Sequence, residues 1–219
     1  MTGKTILIKE TITMIQILAG TSNKHKVEEF KSAISHLLPD LQILMTSDFP
    51  SFPDVEENGT SFEENASIKA KHASAYADMP AFADDSGLEV MALNGEPGIY
   101  SARYAGEKAT DAEKMAKVLA GLEGKSDRRA RFVCVIALAA GGEITQLFRG
   151  EVHGVIAHEP RGDHGFGYDP IFIPDGYDKT FGELGAEIKE KISHRAVALE
   201  KMTQFLQKEL ENMEGFELQ

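Results

Sequence analysis

Apolar residues along this chain fall into two spacings. From Met14 to Ala19 they run almost unbroken into Gly20, and from there Val27, Phe30, Ile34 and Leu37 recur at helical intervals, so the first convincing unit is strand, tight loop, helix. A second strand is predicted over Leu41 to Met45, followed by an acidic, proline-containing loop from Phe52 to Gly59. Ser61 and Glu64 have the spacing of a capping box, in which each side chain satisfies a free backbone N–H of the first helical turn. The helix they open is predicted to reach about Asp78. Thr110 and Glu113 repeat the signature before a stripe of Met115, Val118, Leu119 and Leu122 that reads as core. Ala130 to Ala140 is a long β-prone run, and Glu143 to Ile156 continues it after an Ala-Gly-Gly turn, which predicts an antiparallel hairpin. Arg161 to Pro170 reads as a glycine-rich loop, and a last helix from near Ser193 carries Leu199, Met202, Leu206 and Leu210.

These elements predict a mixed α/β fold with a long curved central sheet flanked by helices. No internal repeat or linker divides it, so residues 14–213 form a single domain, with 1–13 as a leader or extra strand and 214–219 as a tail. A chain of 219 residues, 42% hydrophobic and 26% charged, has the composition of a folded globular protein with a sizeable core. The formal charge of −12 opposes binding to a nucleic acid polymer or an anionic membrane. It does not oppose a small phosphorylated substrate that arrives with its own divalent cation. The single cysteine, Cys134, lies in the apolar run Phe132 to Ile136, so it reads as core and no intrachain disulfide can form. No apolar stretch reaches the length of a membrane span, and no signal peptide is evident. The expected location is cytoplasmic.

The most informative stretch is Pro80 to Tyr104. A short apolar strand runs into two adjacent carboxylates, Asp84 and Asp85, and then into Ser86 and Gly87, read as a turn. Desolvation and repulsion oppose ionising such a pair unless a cation or a shared proton intervenes, so a metal-assisted site is the first hypothesis and a plain turn the alternative. Glu56 and Glu57, in the acidic loop, are candidates to join the aspartates around a hard divalent cation, or else are simply solvated. In the helix after Ser61, Phe62, Ala66, Lys69, Ala73 and Ala77 share one face, which places a lysine on an apolar stripe. A buried ammonium needs a partner; Lys69 either reaches into a phosphate site or snorkels at the stripe's edge.

Three further segments suit a nucleotide. Gly20 to Lys26, between strand and helix, presents free backbone N–H groups and the positive dipole end, with Lys24 and Lys26 nearby; the alternative is an ordinary cap with solvated lysines. The loop Gly162 to Pro170 brings Phe166 and Tyr168 close to flexible backbone, either to stack on a base or to pack inward. Ser193-His-Arg195 puts two potential cations, His194 and Arg195, in the first turn of a helix, which is unfavourable without an anion. Two decoys fall away: Gly124-Lys-Ser126 lacks the glycine that a P-loop needs at position 119, and His153, His158 and His164 lack zinc-ligand spacing.

Taken together, Thr21-Ser-Asn-Lys-His-Lys26, Ser61 to Ala66 leading to Lys69, Ala83-Asp-Asp-Ser-Gly87, Pro97 to Tyr104, Phe166-Gly-Tyr-Asp-Pro170 and Ser193-His-Arg195 resemble the inosine triphosphate pyrophosphatase family, also called Ham1-like, over about Met14 to Leu206. The resemblance implies a two-lobed α/β fold with the nucleotide in the cleft between lobes, and a homodimer. It also implies hydrolysis of ITP, dITP and XTP to the monophosphate and pyrophosphate with Mg2+. By motif, Thr21, Ser22, Asn23, Lys24, His25 and Lys26 would hold the triphosphate, Asp85 would accept a proton and bind metal, and Ser86 would touch substrate. Phe166, Gly167, Tyr168, Asp169, Lys189, His194 and Arg195 would complete the pocket. The metal glutamate would be Glu56 or Glu57, with Glu57 favoured; Lys26 and Lys69 would offset charge on the leaving group, and Asp84 would support Asp85. Ser22 departs from the family's glycine at that place. A housekeeping enzyme acting on modified pyrimidine or methylated nucleotides, or a catalytically idle nucleotide sensor, would share most of these features.

Overall fold

A computed structural model describes residues 15–217 except 22, 39 and 40; the leader 1–13 lies outside the described residues. In chain order the elements are β1 (Ile15–Ala19), α1 (Lys24–Leu37), β2 (Leu41–Met45), α2 (Phe62–Ala77), β3 (Ala81–Val90), α3 (Asp111–Gly121), β4 (Arg129–Ala140), β5 (Glu143–Ile156), β6 (Phe172–Pro174), α4 (Phe181–Leu184), α5 (Ala186–Ile192) and α6 (His194–Glu217). A 3-10 segment, Gly98–Arg103, lies between β3 and α3. One curled six-stranded sheet has the order β2-β1-β3-β4-β5-β6. β1 runs parallel to β2 and β3, and the pairings of β3, β4, β5 and β6 are antiparallel.

The helices cover the long strands on both faces, which is why β4 is buried almost throughout. On one face, Phe30 and Ile34 of α1 and Ala198, Leu199 and Met202 of α6 pack on Phe82, Cys134, Ile136 and Phe148. On the other, Phe62, Ala66 and Ala70 of α2 meet Ala83, Val133, Val135 and Ala137; the alanines keep this helix close to the sheet. A further core gathers at the opposite end of the same strands, where Met115, Val118 and Leu122 of α3 pack with Leu88, Val90, Phe132, Ile156, Phe172 and Phe181. The two lobes are therefore the two ends of one antiparallel three-stranded segment, β3-β4-β5, which they share.

Local differences from the sequence reading have simple causes. The Ser-Gly turn after Asp85 does not form: β3 continues through Ser86 and Gly87 to Val90, in unbroken register with β4. Gly87 is needed there for close approach, since a Cβ would lie 2.3 Å from Gly98 O and 2.5 Å from Ser101 Oγ. The Ser61 cap forms, but Glu64 reaches back to the N–H and hydroxyl of Thr60 rather than to Ser61. Thr110 and Glu113 make the full box. The predicted tail is helical as far as Glu217, where it continues α6.

Candidate active site

Successive side chains on a strand point to opposite faces, and this separates the two aspartates. Asp84 shares the face of Phe82 and is directed toward α1 and α6, where its Oδ2 meets Lys26 Nζ at 2.9 Å and Arg195 Nη2 at 3.5 Å. Asp85 shares the face of Ala83 and is directed toward α2, where Lys69 Nζ lies 3.3 Å from Oδ1 and Asn65 Nδ2 donates to Oδ2 at 3.2 Å. Each carboxylate thus has its own cation, and no shared proton is required. Their acidities diverge as well. Burial raises the pKa of Asp84, but Lys26, Arg195 and Lys69 outweigh it and hold the carboxyl far below the usual range. At Asp85 burial prevails over Lys69 and Lys26, with Glu57 adding to it, and the pKa is raised. Paired carboxylates pushed apart in this way suit different tasks, a fixed anion and a more basic proton acceptor.

Lys69 reaches from the apolar stripe of α2 and bridges Asp85 and Glu57, 3.1 Å from Glu57 Oε2. Burial lowers its pKa, yet the anions Asp85, Asp84 and Glu57 more than compensate, so the ammonium stays charged. Glu57 lines the cleft, whereas its neighbour Glu56 is exposed and lies outside that lining.

The other wall is built around Arg195, which is almost fully buried at the start of α6. Its guanidinium contacts Glu29 of α1, Ser86 Oγ at 3.1 Å and Asp84, and its pKa is raised: burial works against the charge, but Asp84 and Glu29 outweigh it. Glu29 also lies 3.4 Å from Lys189, whose Nζ is 2.8 Å from Asp169 Oδ2 and 4.2 Å from the centre of the Phe166 ring. His194 corrects the expectation of a second cation. It is stacked on Phe132 at 4.9 Å, and burial together with Arg195 and Lys189 holds its pKa well below the usual value, so the ring is neutral. The helix start therefore carries one cation, and Ser193 Oγ caps it by accepting from Ala196 N–H at 3.1 Å. Both aromatics of the glycine-rich loop line the cleft, and Tyr168 also joins the second core, with its hydroxyl donating to Ser101 O at 2.9 Å.

At the phosphate end, Asn23 caps α1 through Oδ1, which accepts from Lys26 N–H at 3.3 Å, and Thr21 and Asn23 both line the cleft. Ser22 lies outside the described residues, as do the side chains of Lys24 and His25. The cleft has a volume of about 1100 Å³ and collects Thr21, Asn23, Lys26, Glu57, Lys69, Asp85, Ser86, Phe166 to Asp169, Lys189, His194 and Arg195 in one cavity. Asp84 stands behind this lining and reaches the cavity through Lys26 and Arg195. Sequence reasoning missed Glu29, Asn65, Asp111 and Lys114. Glu29 and Asn65 lie one residue from predicted core positions, Phe30 and Ala66, and a polar residue there is the only signal they give.

A hard divalent ion takes oxygen ligands, and magnesium keeps several waters while using one or two carboxylates plus substrate phosphate. Glu57 and Asp85, already drawn together by Lys69, supply such a pair. Among the described residues no group of three or more His, Cys, Asp or Glu forms a closed metal cage, so an ion here would complete its shell with water and phosphate oxygens.

The Ham1 family matches residues 17–205. A dITP/XTP pyrophosphatase of Bacillus subtilis strain 168 is 46% identical over 198 residues, 90% of this chain and 99% of that protein. Another from Oceanobacillus iheyensis is 45% identical over 196 residues, 88% of this chain and 98% of the relative. Among solved structures, a Ham1 protein from Coxiella burnetii superposes with a TM-score of 0.83 at 45% identity, covering 89% of this chain and 100% of its own. A nucleoside-triphosphatase, dITP/XTP pyrophosphatase, from Mycobacterium abscessus gives 0.72 at 38% identity over 86% of this chain and 98% of that one. With near-complete coverage in sequence and in fold, this chain belongs to the Ham1 family.

Proposed function

We propose that this chain hydrolyses the α–β phosphoanhydride of non-standard purine nucleoside triphosphates, ITP, dITP and XTP, to the monophosphate and pyrophosphate with Mg2+, removing them from the nucleotide pool. The observation that carries the reading is the divided aspartate pair, with a lysine on each carboxylate at a cleft whose far wall is aromatic and cationic. Relatives that this chain spans almost end to end, and that bear the name dITP/XTP pyrophosphatase, support the substrate class.

In this reading water attacks the α-phosphorus in line with departing pyrophosphate. Asp85 takes up the proton. Asn65 and Lys69 use one acceptor direction on each of its oxygens and leave others for the water. Lys69 and Lys26 stabilise the negative charge that grows on the leaving group. Asp84 holds Lys26 and Arg195 in place from behind. Glu57 and Asp85 would hold magnesium, which supplies Lewis-acid polarisation of the phosphate oxygens.

Base selection rests on Phe166 as a stacking platform and on donors directed at the 6-keto group, which adenine's amino group cannot satisfy. The amides of Phe166 and Gly167 are already committed to Asp169 and Asp111. The polar side chains left for the base on that wall of the cleft are Lys189, His194 and Arg195.

The enzyme acts as a homodimer in the cytoplasm, where the nucleotide pool is; sedimentation should give twice the 24.0 kDa chain mass. The function is tested by pyrophosphate release from ITP, dTTP, UTP and ATP with Mg2+. Turnover confined to ITP is expected. Selective turnover of dTTP or UTP would point to a pyrimidine enzyme, and binding of ITP without turnover to a sensor.

A further inference from the structure

The glycine-rich loop that carries Phe166 is fixed from two sides. From behind, Asp169 Oδ2 accepts the Phe166 N–H and the Lys189 ammonium, each at 2.8 Å. Gly165 turns at φ +78°, and a Cβ there would lie 2.1 Å from the same Asp169 oxygen. From the other side, Asp111 Oδ2 accepts the Gly167 N–H at 2.7 Å, a contact between residues 56 apart in sequence. The second oxygen of Asp111 holds Lys114 Nζ at 2.6 Å, and both side chains line the cleft. An acid in the first turn of α3 is ordinarily read as a helix-dipole partner. That role needs no contact with a distant loop, nor a lysine to hold the carboxylate toward it.

We propose that Asp111, held by Lys114, is a positioning residue for the nucleotide base: it fixes the Gly167 peptide and thereby the orientation of the Phe166 ring. The proposal rests on the reading of Phe166 as the base platform. Gly165 and Gly167 would otherwise leave this segment free to sample many backbone conformations, and the entropy of ordering it would be charged to substrate binding.

The test compares Asp111→Ala, Asp111→Asn and Glu113→Ala, by kcat and KM for ITP and ATP and by calorimetric affinity for IMP. Asp111→Ala should weaken IMP binding and raise KM for ITP about 10-fold, the factor carried by one hydrogen bond to a charged acceptor. The ITP-to-ATP ratio of kcat/KM should fall by a similar factor. Asp111→Asn, whose amide oxygen still accepts from Gly167, should recover most of the loss. Glu113→Ala removes the side-chain half of the α3 capping box, leaving Asp111 in place, and should lower the melting temperature with the ratio unchanged. Equal loss for ITP and ATP in Asp111→Ala would overturn the proposal, as would an Asn variant as impaired as the Ala variant. Failure of the wild-type enzyme to turn over ITP would instead contradict the function on which the proposal rests.

Discussion

Asp84 and Asp85 differ by one position on one strand, and the pleat of β3 gives them different neighbours and different work. Replacing Asp85 with Asn removes the proposed proton acceptor while keeping its size and its bond to Asn65, so turnover should fall by about 10²- to 10⁴-fold with the melting temperature little changed. Replacing Asp84 with Ala leaves the buried Arg195 with Glu29 as its one carboxylate partner among the described residues and frees Lys26. Breaking a buried ion pair from one side costs about 3–5 kcal/mol, so denaturant midpoints should shift strongly for this variant and hardly at all for Asp85→Asn. Equal destabilisation by both would refute the division of roles. The aspartates were legible as a site because two anions in an apolar run are costly. Their separation was not, because Ser86 and Gly87 carry the composition of a turn, and only pairing with Cys134 and Val133 keeps them in the strand. Glu57 was favoured over Glu56 on the family resemblance alone, since a loop has no period to say which side chain faces inward.

Among the elements, the start of α6 makes the clearest prediction. His194 is buried neutral, with its pKa held below the ordinary 6.5. As the pH falls through 6.5 the unfolded chain takes up this proton first, so the folded state loses about 1.4 kcal/mol per pH unit relative to a chain without the histidine; above that pH there is no effect. His194→Phe keeps the stack on Phe132 and should flatten the decline in stability between pH 6.5 and 5.5, read from denaturant midpoints at each pH. A slope unchanged by the substitution would show that His194 is not the group responsible. The long elements α1, α2, α3, β4, β5 and α6 could be read from periodicity and caps, and Lys69 stood out on its alanine stripe because its charge broke the pattern. α4 and α5 could not be read, for four and seven residues are too few to display a period.

For the whole molecule, the cleft exists because one hairpin carries a core at each end, and site residues come from α1, the acidic loop, α2, β3, the glycine-rich loop, α5 and α6. Six motifs in order made the assembly legible. The contacts that tie them did not show in the sequence: Arg195 and Glu29 are 166 positions apart, and neither belongs to a local pattern with the other. In the proposed mechanism this cleft cleaves between the α- and β-phosphates of a purine triphosphate with Asp85 as base. Product analysis of ITP incubated with the wild-type enzyme and Mg2+, beside Asp85→Asn, tests it directly. IMP and pyrophosphate are expected in equal amounts from the wild type and little of either from the variant; IDP with inorganic phosphate, or an equally active variant, would rule that mechanism out.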